Sequence, residues 1–190
     1  MDKTEFIQKK KELRKMISAR KKECPIEERI RRSSSVIKNL CALPEFKAAK
    51  NVLFYWSMAD EVFTQEIVPE IARSKNVFLP VVKGDDLLIK KFTAEKSLVD
   101  GESFAIPEPD DAAEEVSVDE IDFVVVPGVA FDLEGGRMGR GKGFYDRLLS
   151  KATGKGPYKA GICFDFQIVD EVPREPHDII MDKVVSEKFG

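Results

Sequence analysis

The chain predicts an α/β fold with a mostly parallel sheet flanked by helices, and two observations carry the prediction. Residues 51–56, 76–82, 121–126 and 159–164 are short, largely apolar runs of strand length. They lack the polar alternation of a sheet wetted on one face, so they read as interior strands. Between them lie segments whose apolar residues recur at helical spacing, such as Ile30, Val36, Ile37 and Leu40. Strands alternating with helices build parallel sheets with helices on both faces, a Rossmann-like three-layer arrangement.

The totals agree. At 190 residues the chain suits one domain spanning 1–190, and 43% hydrophobic with 34% charged residues is an ordinary globular composition. A net charge of −3 gives no field that favours nucleic acid. Cys24, Cys41 and Cys163 are widely spaced and unpaired in pattern, which excludes a disulfide framework and a structural zinc site. Charges begin at Asp2, and no apolar run approaches the ~20 residues needed to span a membrane. A cytoplasmic monomer without membrane or nucleic-acid partners is expected.

In chain order, residues 2–22 read as one amphipathic helix with Phe6, Leu13 and Ile17 as its narrow apolar stripe. Lys9, Lys10, Lys11, Arg14 and Lys15 crowd the rest, either as a solvated face or as a phosphate clamp. Pro25 opens a second helix, where its missing N–H costs nothing, and residues 43–46 read as a turn or short helical connector. The strand at 51–56 ends in Ser57-Met58-Ala59-Asp60-Glu61, at the edge of an open sheet where ligands bind. There Trp56 and Met58 are candidates to line a pocket, and Asp60 and Glu61 to accept hydrogen bonds from a ligand. The competing reading makes Trp56 core and Glu61 a helix-start residue. Thr64 is positioned to cap the helix of Ile67, Val68 and Ile71, bent near Pro69. The strands 76–82 and 87–92 flank a hairpin-like turn at 84–86, a local antiparallel excursion. Residues 95–119 read as a long surface loop, 165–172 as a short helix and 183–185 as a final strand.

The stretch from Ile121 carries the chemistry. A buried strand stops at Pro127-Gly128, five of the nine residues 135–143 are glycine, and Phe144, Leu148 and Leu149 begin a helix near Gly143. Strand, glycine loop and helix form an anion site, because bare backbone N–H groups approach an oxyanion closely. Arg137, Arg140 and Lys142 add enough positive charge for a polyphosphate. The P-loop pattern holds as far as Lys142, but Gly143 replaces the magnesium-binding hydroxyl, leaving Asp146 as the candidate metal ligand. No G-x-S-x-G elbow is present, His177 is the single histidine, and no acidic residue completes a dinucleotide fingerprint. Asp132, Asp165, Asp178 and Asp182 are further carboxylates near strand ends, and Mg²⁺ needs only one or two beside phosphate oxygens. The residues alone read as an α/β protein for a phosphorylated ligand, ATP with Mg²⁺.

Pro127-Gly-Val-Ala-Phe-Asp132 followed by Gly136-Arg-Met-Gly-Arg-Gly-Lys-Gly-Phe-Tyr-Asp146 resembles the signature of the 5-formyltetrahydrofolate cyclo-ligase (5,10-methenyltetrahydrofolate synthetase) family. The resemblance extends from Lys10-Lys-Glu-Leu-Arg14 through residues 57–61 to His177-Asp178. It implies closure of 5-formyltetrahydrofolate to 5,10-methenyltetrahydrofolate with ATP as co-substrate and Mg²⁺. It further implies that Lys10, Lys11 and Arg14, with Arg137, Gly139, Arg140, Gly141, Lys142, Gly143, Phe144 and Tyr145, hold ATP. By the same resemblance Trp56 and Glu61 touch the folate, while Arg140, Lys142 and Phe144 border the reacting formyl group and Asp146 with Asp178 binds the metal. Asp182 is the alternative second ligand. Many relatives have Tyr-Tyr-Asp where this chain has Phe144-Tyr145-Asp146, so a hydroxyl is lost at 144 and the aromatic wall is kept. A regulator sensing a sugar phosphate or nucleotide, and an ATP-dependent ligase acting on a carboxylate, would share the basic glycine loop. Pteridine binding separates them from the cyclo-ligase reading.

Overall fold

The structure, a computed structural model, describes residues 3–101 and 106–189. The chain begins with α1 (Lys3–Glu23), α2 (Ile26–Ala42) and α3 (Pro44–Ala48) before β1 (Asn51–Leu53). Then come α4 (Ile67–Ile71), β2 (Asn76–Lys83), β3 (Asp86–Lys91), β4 (Leu98–Asp100), β5 (Pro107–Pro109) and β6 (Glu115–Val116). The remainder is β7 (Phe123–Val126), β8 (Ala130–Phe131), β9 (Arg137–Met138), α5 (Phe144–Ser150), β10 (Tyr158–Ile162) and β11 (Lys183–Val185).

Seven strands form the central sheet in the order β11-β10-β7-β1-β2-β3-β6. β11, β10, β7, β1 and β2 are mutually parallel, and β3 and β6 add antiparallel to one edge. This is the mostly parallel sheet with an antiparallel excursion that the sequence predicts. Alternate residues of each interior strand enter opposite layers. Val52 and Phe54, with Phe123 and Val125, pack with Leu40, Phe46 and Val68 of α2, α3 and α4. Leu53, Val124 and Val126 pack on the other face with Leu148 and Leu149 of α5. Period-two side chains buried on both faces explain why these strands read as unbroken apolar runs. A small third cluster joins Ile17 of α1 to Ala130, Met138 and Val172.

Five local expectations change. The strand expected over 51–56 pairs regularly only to Leu53, with one more bond from the Phe54 N–H to the Phe78 carbonyl. Beyond it the Tyr55 carbonyl accepts from the Thr64 hydroxyl at 2.5 Å, which turns the chain out of the ladder. For the same reason Thr64 does not cap α4, whose N-cap is Glu66 and has no side-chain bond. Pro69 falls in the first turn of this five-residue helix, where its missing N–H removes no helical bond. The segment 95–119, expected as open loop, contains β4, β5 and β6, while its residues 102–105 lie outside the described residues. The helix expected over 165–172 is one tight turn at Asp165–Gln167, because the Val169 N–H then bonds the Phe131 carbonyl at 2.8 Å.

Candidate active site

β1 and β7 lie side by side at the centre of the sheet, yet the chain leaves them in opposite directions. From β1 it passes to β2 on one side, and from β7 to β10 on the other. That reversal opens a crevice at the carboxyl ends of the strands. A pocket occupies it. Trp56, Met58 and Glu61 come from the β1 end, and Gly139, Arg140, Lys142, Phe144, Tyr145 and Asp146 from the β7 side. Pro80, Val82 and Leu87 of the antiparallel hairpin, with Ile106 and Pro107 of the following segment, complete its apolar wall, beside which Glu108 also lines the pocket.

The glycine loop is more structured than a turn-forming tract. β8 and β9 pair as a short hairpin, and the buried Asp132 carboxylate pins it by accepting from the Gly136 N–H at 2.7 Å and the Val172 N–H at 2.9 Å. A Cβ at Gly136 would overlap that carboxylate, so the position requires glycine. Gly143 precedes α5 with φ +67°, a left-handed backbone that a side chain would strain.

Each cation has a distinct setting. Arg137 is buried, with Nη2 2.8 Å from Asp146 Oδ2, and its guanidinium lies 5.8 Å from the Tyr145 ring centroid. Arg140 Nη2 is 2.6 Å from Asp60 Oδ1 and 3.3 Å from Glu61 Oε1. The Lys142 side chain is exposed at the pocket rim, with no hydrogen-bond or ion-pair partner among the described residues. Glu61 Oε2 accepts from the Met58 N–H at 3.0 Å, which fixes the carboxylate toward the pocket. Burial pushes Asp60 up, but Lys21 and Arg140 outweigh it and hold the carboxyl below its usual range. Burial likewise opposes the charge on Arg140, and Asp60 with Glu61 overcomes that and raises it.

α1 lies across one side of the site. Lys10 Nζ is 3.3 Å from Asp178 Oδ2, and Arg14 Nη2 reaches the Gly139 carbonyl at 3.5 Å. Neither lines the pocket itself, and Lys11 is exposed on the helix. Asp178 and Asp146 stand close along the backbone, since the Ile179 N–H donates to Asp146 Oδ1 at 3.1 Å. Asp182 instead accepts from the backbone N–H and side chain of Lys159, both at 2.7 Å, where β10 begins. No group of three or more His, Cys, Asp or Glu side chains suited to a metal occurs among the described residues.

Trp56, Glu61, Arg140, Lys142, Phe144, Tyr145 and Asp146, chosen from sequence, thus share one pocket. Sequence reasoning missed Lys21, which bridges α1 to Asp60, and Arg147, which donates to the Lys142 and Asp85 carbonyls and covers the Phe144 ring. A helical wheel locates the first: Lys10, Arg14, Ile17 and Lys21 fall within roughly 60° of one another on α1.

Fold and pocket define an α/β protein with a cation-rich small-molecule site at the winding reversal of its sheet. The family model of 5-formyltetrahydrofolate cyclo-ligases matches residues 6–187, and the chain belongs to that family. It is 30% identical to mouse 5-formyltetrahydrofolate cyclo-ligase, covering 94% of this chain and 93% of that protein. The probable cyclo-ligase of Schizosaccharomyces pombe is 32% identical over 81% of this chain and 83% of its own. The solution structure of Aquifex aeolicus 5,10-methenyltetrahydrofolate synthetase superposes with a TM-score of 0.83 at 41% identity, covering 94% of this chain and 90% of that one.

Proposed function

We propose that this protein closes 5-formyltetrahydrofolate to 5,10-methenyltetrahydrofolate, converting ATP with Mg²⁺ to ADP and phosphate. The observation that carries the reading is the meeting of two half-sites at Arg140. On one side stand an aromatic and apolar wall and the Glu61 carboxylate, suited to a pterin ring with N–H donors at its edge. On the other stands the basic glycine loop, suited to a polyphosphate. Family membership, and relatives named for this reaction, support the substrate.

The chemistry needs no protein nucleophile. A formamide oxygen is a poor leaving group, and its attack on the γ-phosphoryl of ATP converts it into a phosphate ester while ADP departs. N10 then adds to the formyl carbon, and phosphate leaves with the former formyl oxygen. Phosphoryl transfer requires alignment and neutralisation of spreading negative charge. Arg140 and Lys142 supply it at the reacting group. Lys10, Arg14 and Arg137, with the backbone of 139–143, supply it along the polyphosphate.

The donor set fits magnesium: Asp146 and Asp178 are hard oxygen ligands, each now facing a cation, Arg137 and Lys10 respectively. Asp182 fits less well, because it is held by Lys159 at the start of β10, at the end of the sheet opposite the crevice. Bound there, Mg²⁺ would neutralise phosphate oxygens. Trp56 and Phe144 give the pocket aromatic walls, and the Tyr145 hydroxyl, buried without a hydrogen-bond partner among the described residues, adds a donor.

The test is the absorbance of methenyl-folate after mixing protein with 5-formyltetrahydrofolate and Mg-ATP. An ATP-dependent rise that Asp146→Ala and Arg140→Ala each lower by at least about 10²-fold is expected. A flat trace from folded wild-type protein that binds ATP would sink the reading.

A further inference from the structure

We propose that Asp60 is a positioning residue for Arg140: clamped by Lys21, it fixes where the guanidinium stands between the two halves of the pocket. The inference rests on the cyclo-ligase reading for its kinetic consequence and on geometry for the contact itself.

Read from sequence, Asp60 is a second acceptor for ligand N–H groups beside Glu61. The structure commits both of its oxygens elsewhere. Oδ2 lies 2.9 Å from Lys21 Nζ, and Oδ1 lies 2.6 Å from Arg140 Nη2. Lys21 is itself largely buried, its side chain only 10% exposed, so the carboxylate is held from behind by a side chain of α1 with little room to move. Asp60 does not line the pocket, whereas Glu61 and Arg140 do.

Arg140 needs such a tether. It stands between Gly139 and Gly141, the latter at φ +100°, so the backbone on both sides of it has no Cβ to restrict its conformation. In the described contacts its guanidinium uses only Nη2, shared between Asp60 and Glu61. Donors on a pterin edge would claim the Glu61 carboxylate when folate binds. Asp60 alone then retains the guanidinium, and the remaining N–H groups are free to face the formyl oxygen and the incoming phosphoryl group. Lys21 offsets the Asp60 charge, so the tether does not cancel the positive charge that Arg140 brings to phosphoryl transfer.

A kinetic cycle and a spectrum test this together. Asp60→Asn should lower kcat roughly ten- to hundredfold while the KM for 5-formyltetrahydrofolate stays near wild type, as misplacement of one catalytic group does. In an Arg140→Ala background the same substitution should change kcat little, because the group it positions is gone. An equal loss in both backgrounds, or no loss in wild type, would overturn the proposal. The side-chain NMR signals of Arg140 should be those of a restrained guanidinium in the wild type and of a mobile one in Asp60→Asn. Unchanged signals would overturn it even if the protein proved to have no cyclo-ligase activity, a result that would itself sink only the function reading. Lys21→Met, which leaves Asp60 in place but loosens it, should show the same pattern more weakly and serves if Asp60→Asn does not fold.

Discussion

Tyr145 lies at the wall of the pocket, and its hydroxyl has no hydrogen-bond partner among the described residues. Burial pushes its pKa up, and the charge on Glu61 pushes it further, against a smaller opposing effect from Arg137. Tyr55 is raised well above its ordinary value by burial first and Glu61 next. A pKa raised in the folded state gives stability that is fully present below the ordinary phenol value near pH ~10 and lost as pH rises toward the folded value. During an alkaline titration, therefore, the tyrosinate absorbance of Tyr55 and Tyr145 should rise only together with loss of the folded circular dichroism. Ionisation near pH ~10 in protein that is still folded would contradict this. At this scale much of the site was legible in the sequence. Arg140, Lys142 and Asp146 declare themselves by sitting among glycines before a helix. The pairing of Arg140 with Asp60 does not, since 80 positions separate them and no local pattern links the two.

Among the elements, the segment leaving β1 shows why local reading stopped short. Residues 54–56 are as apolar as the strand before them, so periodicity extends the strand to Trp56. Thr64, fully buried, ends it through three hydrogen bonds: its hydroxyl donates to the Tyr55 carbonyl and accepts from the Ser57 N–H, and its own N–H meets the Ser57 hydroxyl at 3.1 Å. This clasp aims Trp56 and Glu61 at the pocket. Thr64→Val keeps shape and removes the hydroxyl, leaving a buried N–H and a carbonyl unpaired, so it should cost about 2 kcal/mol. Urea unfolding should show a lower midpoint with an unchanged slope. A midpoint equal to wild type would mean that the clasp is not what holds the loop. The β8–β9 hairpin was hidden for a related reason. Its strands are two residues each, too short for periodicity, and the Asp132 carboxylate that fixes it reaches across the loop and to Val172.

At the scale of the whole molecule, the three-layer α/β arrangement was readable because interior strands buried on both faces leave an unmistakable apolar signature. The strand order was not. It arises from which edges pair in space, and with it came the winding reversal between β7 and β1 that brings the end of β1 and the glycine loop to one crevice. The antiparallel edge then roofs that crevice with Pro80, Val82 and Leu87. Among the described residues no helix is long and apolar enough to cross a membrane. The central claim is that this crevice uses ATP to turn the formyl oxygen into a leaving group. Its most direct test is a heavy-oxygen label in the formyl group of 5-formyltetrahydrofolate, followed by mass analysis of the phosphate released. The account predicts one labelled oxygen in each phosphate formed per methenyl product. Unlabelled phosphate accompanying methenyl-folate would contradict it, because the formyl oxygen would then have left by another route.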